Sequence, residues 1–263
     1  MEQHDKEHIG DGKNPQWLGG GNLQGLFINS LAGQYLQFTA DAAFRAKINQ
    51  NQPLTYEVTA KGTFWLTNRL SIMSIIYFFL EANDLYFSYT GFIFSTLRIT
   101  SSFLNTTARV KLSHTSISYD GLRDSETSYR HSTNGVLLPP LAGNSVLPDL
   151  LNTDNIYTDS STIRIGINAF SLANKSCVVR DFRIYDSAIA IGKFREKYHE
   201  MPLNDIPAFC EWKMSQASDF YTFGGNLYAR NTGSSGNGLD NGTGYDMQMF
   251  GYIGNIPIFN TIY

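Results

Sequence analysis

Cys177-Val-Val-Arg-Asp-Phe-Arg-Ile-Tyr-Asp186 is the stretch on which the fold turns. β-branched and aromatic residues dominate it, and apolar and polar positions alternate from Asp181 onward. Alternation at period two places successive side chains on opposite faces of a strand. Phe182 and Ile184 therefore fall on a core face, with Arg183 and Tyr185 on the other. Asp181, Arg183 and Asp186 are expected on a solvated face, making local turn bonds. Ser187 to Glu200 follows as the one expected helix, capped by Asp186 or Ser187 and stopped by Pro202.

Upstream, the same reading extends through most of the chain. Gly25-Leu-Phe-Ile-Asn and Gln34-Tyr-Leu-Gln-Phe read as a hairpin around Ala32-Gly33. Leu54 to Ala60 and Thr63 to Thr67 continue it around Lys61-Gly62. Leu70 to Leu80 reads as one long strand buried on both faces, with a core helix as the competing assignment. Asp84 to Tyr89, Ile93 to Thr100, Arg109 to Tyr119 with a turn at Asp120-Gly121, and Thr162 to Ile167 add further strands. Leu138-Pro-Pro-Leu and Asp149 to Asp159 read as loops, since proline cannot donate to a ladder. No helices alternate with the strands, which excludes a parallel α/β sheet.

Three regions differ in composition. Residues 1–22 are polar and then Gly-rich, as in an arm or linker. Residues 23–203 carry the strand pattern. Residues 204–263 are rich in Gly and aromatics and poor in bases, a C-terminal extension expected to dock on the sandwich or on a neighbouring subunit.

Ser161-Thr-Ile-Arg-Ile-Gly166, followed by Cys177 to Ile189, resembles the closing strands of concanavalin A-like/laminin-G domains. Gly33-Gln-Tyr-Leu-Gln-Phe resembles their opening strand. Tyr119-Asp-Gly and Asn134-Gly resemble two of their turns. The resemblance covers about Leu23 to His199. It implies an all-β, two-sheet antiparallel jelly-roll sandwich with one short helix, a fold used chiefly for binding.

Composition limits function. The 263 residues carry 20 bases and 23 acids, net -3, which excludes a basic nucleic-acid footprint. Cys177 and Cys210 do not form a disulfide framework; two buried thiols are expected, with a single bridge as the alternative. Met1 to His8 has no apolar signal segment, and no run is long enough to cross a membrane as a helix. The expectation is a chain made and kept in a cytoplasm unless lysis releases it.

No catalytic, cofactor or metal residues are assigned. Glycan hydrolases of the resembled family carry spaced carboxylates on one strand. Glu81 and Asp84 come nearest, but on one strand they would face opposite ways. His4 and His8 stand at i, i+4 in the polar arm, with no third ligand. His114, His131 and His199 are scattered. Asn237, Asp240, Asn241 and Asp246 offer oxygens that could hold Ca²⁺, against a plain loop reading. Tyr157, Tyr221 and Tyr228, in or near loops, could stack on sugar rings, against packing in a core or interface.

These readings lead to a non-enzymatic virion structural protein, most naturally a bacteriophage fibre, decoration or receptor-binding subunit. The alternative is a bacterial carbohydrate-binding module or adhesin at the cell surface. The expected partners are further copies of the chain, a trimer being favoured, together with other virion proteins and a cell-surface glycan. Nucleic acid and membrane insertion are not expected.

Overall fold

The computed structural model describes residues 24–29, 32–48, 52–62, 65–71, 74–81, 84–90, 96–102, 113–121, 129–133, 136–138, 161–166, 176–190, 206–252, 257 and 259–261. In chain order the elements are β1 (Gln24–Asn29), β2 (Tyr35–Ala40), α1 (Ala42–Lys47), β3 (Leu54–Gly62), β4 (Trp65–Ser71), β5 (Ser74–Glu81), β6 (Asp84–Thr90) and β7 (Thr96–Ser102). Then come β8 (Ser113–Tyr119), β9 (Tyr129–Thr133), β10 (Val136–Leu138), β11 (Ser161–Ile165), β12 (Ser176–Tyr185), β13 (Cys210–Lys213), β14 (Phe220–Phe223), β15 (Asn226–Ala229), β16 (Met247–Phe250) and β17 (Phe259–Thr261).

The strands form two antiparallel sheets. The first runs β10-β9-β8-β3-β12-β1-β17, with β13 also on β12; the second runs β14-β15-β16-β2-β11-β4-β5-β6-β7. A core of Leu26, Ile28, Leu36, Phe38, Val58, Ile163, Phe182, Ile184 and Trp212 fills the space between them. The fold is the two-sheet antiparallel sandwich that the resemblance implies.

β12 organises the first sheet. One edge pairs with β3 along its length. The other edge carries two strands end to end: Cys177 to Val179 pair with β1, and Asp181 to Ile184 pair with β13. The register against β3 shifts between Val179 and Asp181, and the carbonyl of Arg180 at this bulge accepts a 2.8 Å bond from the Met214 amide. A bulge bends and twists its strand, and here it marks the changeover between the two neighbours. Phe182 and Ile184 are fully buried in the core, as the alternation requires.

Several expectations need correction. β1 and β2 are not a hairpin: β1 belongs to the first sheet and β2 to the second. The amide of Gln34 bonds the Asn29 carbonyl at 3.1 Å and its side chain accepts from the Asn29 amide, so a tight corner carries the chain between sheets. β3 and β4 likewise lie in different sheets. Leu70 to Leu80 is not one strand. It is divided between β4 and β5, which pair from Trp65↔Phe79 to Ser71↔Ser74. Glu81 and Asp84 sit on neighbouring strands as direct cross-strand partners, not on one strand.

Among the described residues the α-helix is α1, where none was expected. Asp41 caps it, accepting from the Phe44 amide at 2.8 Å, and Phe44 buries its ring in the core. Positions 187–190 form a bend and irregular chain rather than the start of a helix; 191–200 lie outside the described residues. So do His4, His8, Tyr157 and His199.

The segment from 206 onward is built into both sheets. β13 extends the first sheet, β14 to β16 extend the second beyond β2, and β17 pairs with β1. Trp212, Phe220, Tyr221 and Tyr252 are buried within the chain itself. Among the described rings of this segment Phe223 is half exposed.

Candidate functional site

Two polar constellations stand out. The first covers the outer face of the first sheet, where a solvated surface was expected. Along β3, Thr55, Glu57 and Thr59 are as buried as Tyr56, Val58 and Ala60 on the core side. Arg183 ties three strands together: its Nε donates to Glu211 Oε1 at 2.7 Å, and its Nη1 donates to Asp181 Oδ1 at 2.8 Å and Glu57 Oε1 at 3.3 Å. Glu57 also meets His114 Nε2 at 2.7 Å and accepts the Tyr185 hydroxyl at 2.6 Å.

Burial works against the charge on Glu211. The Arg183 guanidinium and the Thr232 hydroxyl outweigh it and hold the carboxyl below its ordinary value. Burial, reinforced by the Glu57 charge, pushes the Tyr185 phenol far up. Glu57 is fully buried. Three carboxylates thus converge on one guanidinium, and the network braces the sheet. Asp186 lies apart, exposed, 3.8 Å from Lys47 Nζ.

The second constellation is an open groove of about 300 Å³ on the outer face of the second sheet. Gln37, Thr39, Asp41, Tyr228, Tyr245 and Gln248 line it, with loop residues 242–244 and 246. Strand alternation fixes this face: Leu36, Phe38, Met247, Met249, Leu227 and Ala229 point into the core, so Gln37, Gln248 and Tyr228 point out. Cross-strand register then aligns Tyr221↔Tyr228, Tyr228↔Gln248, Gln248↔Gln37 and Gln37↔Arg164, one row over five strands.

The row is held from beneath and from its sides. Tyr221 and Tyr228 stack at 5.4 Å between centroids. The Tyr221 hydroxyl donates to Asp246 Oδ2 at 2.5 Å and accepts the Gly242 amide at 2.7 Å. Burial raises the Asp246 carboxyl above its ordinary value. Gly242 has φ +74 and packs so closely on Tyr228 that a Cβ there would come within 3.1 Å of the ring. Tyr245 holds a left-handed backbone at φ 63, uncommon for a residue with a bulky side chain. Its carbonyl accepts Trp212 Nε1 at 2.9 Å and its hydroxyl donates to Asp41 Oδ1 at 2.7 Å. Burial opposes ionisation of Asp41. The bonds from the Phe44 amide and the Tyr245 hydroxyl prevail and keep the carboxyl below its ordinary value.

Of the residues singled out from sequence, Tyr221 and Tyr228 come together here. They differ in role: Tyr221 is buried under the loop, and Tyr228 lines the groove. The four loop oxygens do not converge on a cation. Asp240 forms a two-pronged pair with Arg230, at 2.6 and 2.7 Å. Asp246 accepts from Tyr221 and the Asn231 amide, Asn241 accepts from Thr243, and Asn237 accepts from the Leu239 amide. Among the described residues no group of three or more His, Cys, Asp or Glu side chains converges as metal ligands would. Gln37, Gln248 and Asp41 were missed, because only the pairing of β2 with β16 brings them together.

No family model matches the chain, and no curated protein matches it in sequence. Similar solved structures exist. A protein from Bacteroides ovatus described as a candidate carbohydrate binder is 13% identical over 92% of this chain and 60% of its own length, with a TM-score of 0.52. The binding domain of Paraclostridial Mosquitocidal Protein 1 is 13% identical over 65% of this chain and 42% of its own, TM-score 0.48. The native heptameric pentraxin of Limulus polyphemus is 11% identical over 67% of this chain and 82% of its own, TM-score 0.41. The chain thus spans well under two thirds of the first two. The topology, with the Bacteroides ovatus likeness, establishes a two-sheet antiparallel jelly-roll sandwich.

Proposed function

We propose that the chain is a non-enzymatic binding domain that attaches its carrier to a cell-surface glycan through the groove beside Tyr228. The observation that carries this reading is the groove itself: two tyrosines, two outward amides and two carboxylates around an open cleft of about 300 Å³. A sugar presents an apolar ring face and a rim of hydroxyls, and such a lining matches both. The Bacteroides ovatus likeness agrees with a carbohydrate ligand. The commitment of Glu57, Asp181 and Glu211 to Arg183 favours binding over hydrolysis.

The carrier we propose is a virion, as a fibre, decoration or receptor-binding subunit of a bacteriophage, with a bacterial surface as the second possibility. The polar, Gly-rich composition of residues 1–22 ahead of an all-β domain supports an attachment arm. Light scattering on the purified chain tests the trimer that a fibre requires. A glycan array probed with wild type and with Tyr228→Ala tests the binding claim. Retention of glycans by the wild type alone supports it, and an array blank for both proteins overturns it.

A further inference from the structure

Resting on that reading, we infer that the groove takes an uncharged glycan chain of two or more sugars lying across the strands, rather than a terminal or acidic sugar. The first observation is the row itself. Tyr228, Gln248 and Gln37 occupy one register on three adjacent strands. Neighbouring strands stand about 4.8 Å apart, so Tyr228 and Gln37 are separated by roughly 10 Å, the length of a two-sugar unit. All three line the groove, together with Thr39 two positions further along β2. A ring stacked on Tyr228 therefore places the next sugar within reach of the Gln248 and Gln37 amides.

The second observation is charge. The groove is lined by two carboxylates, Asp41 and Asp246, and by no base. Asp41 is held in its charged form by its hydrogen bonds. The described cations flanking the row are already engaged. Arg230 pairs with Asp240 and lies over the Tyr221 ring, while Arg164 donates to Gln37 and lies over Tyr35. A sugar carboxylate or sulfate would enter beside like charge without a free base to receive it, whereas hydroxyls find both donors and acceptors.

The third observation is rigidity. Tyr228 packs against Tyr221 and Gly242, and Asp41 is bonded by the Phe44 amide and the Tyr245 hydroxyl. A lining held in place before the ligand arrives loses little side-chain freedom on binding.

The test is calorimetric titration of the full chain with neutral gluco- and manno-oligosaccharides of one to six units, against oligogalacturonates of matched length. The best neutral series should tighten about tenfold or more from one sugar to two or three and then level off. The acidic series should bind about tenfold more weakly. Gln37→Ala should weaken the longer sugars several-fold and the single sugar by less. If single sugars bind as tightly as longer ones, or acidic sugars bind more tightly, while Tyr228→Ala still abolishes binding, the inference fails and the glycan-binding reading survives. If neither series binds, or if both Tyr228→Ala and Gln248→Ala bind as wild type does, that reading fails too. Circular dichroism of each variant separates lost binding from lost folding.

Discussion

Phe182 and Trp212 lie face to face, ring centroids 5.5 Å apart and planes 8° from parallel, joining β12 to a strand from the last quarter of the chain. Both are fully buried, and Tyr56 stacks over Phe182 from β3 at 6.4 Å. Phe182→Ala removes the middle ring of this stack from a core closed on all sides. The loss of burial and the cavity left behind should cost about 3–5 kcal/mol. Urea unfolding at equilibrium measures it; a cost below about 1 kcal/mol is incompatible with this packing.

Arg183 is the one guanidinium among Glu57, Asp181 and Glu211. Arg183→Ala removes the guanidinium that Asp181 and Glu211 share with the fully buried Glu57. Breaking such a network from one side should destabilise the fold by about 3–5 kcal/mol. Arg183→Lys should recover only part of this, since an ammonium cannot span three carboxylates with a planar fork. Thermal melts of the two variants give the order.

Glu211 ties stability to pH. Its folded carboxyl titrates below its ordinary value, so the unfolded chain takes up the proton first as acid is added. The stabilisation is complete above the ordinary carboxylate range and is lost as pH falls through it to the lower folded value. Glu211→Gln should be less stable than wild type near neutrality, by about 1.5–3 kcal/mol for a charged hydrogen bond. The gap should close on acidification across that window. A gap that holds constant down to acid pH would refute the assignment.

Truncation after Ser218 should abolish folding. It removes β14, β15 and β16, which cover the β2 edge of the second sheet, and β17 from the first. It also strips Met247, Met249, Leu227 and Tyr252 from the core. The truncated chain should be insoluble or lack the strand signature in circular dichroism. A soluble, folded product would show that the sandwich closes without these strands.

The two cysteines are free and buried, and burial pushes each thiol up to about 12. Neither should react with Ellman's reagent until the chain is unfolded, when two equivalents should appear. Electrophoresis with and without reductant should give the same mobility.

Much of the sandwich was legible because alternation is local. Phe182 and Ile184 declare their face within six residues. What escaped was set by partners distant in sequence. The Ala32-Gly33 corner has the residues of a hairpin, yet it carries the chain from one sheet to the other, and only the pairing of β1 with β12 and of β2 with β11 decides that. Arg183 read as a solvated side chain because Glu57 and Glu211 lie on other strands. At the groove, Tyr228 was found from its aromatic character in a polar region. Gln37 and Gln248 carry no such mark, since an amide on the outer face of a strand is an ordinary surface residue until a neighbour turns it into a site. Asp41 followed by Phe44 did carry a capping signal for α1, overlooked beside the stronger strand pattern.

The pairing of β1 with β17 has a consequence for biosynthesis. The Tyr252 hydroxyl reaches the Phe27 carbonyl across 225 positions. While the chain is still emerging from a ribosome, β1 therefore waits with one edge unsatisfied until β17 has appeared. Contacts this remote make for slow folding, and a waiting edge invites pairing with other nascent chains. Production yield should thus respond more to slowed translation, lower temperature and chaperone supply than to changes on the finished surface.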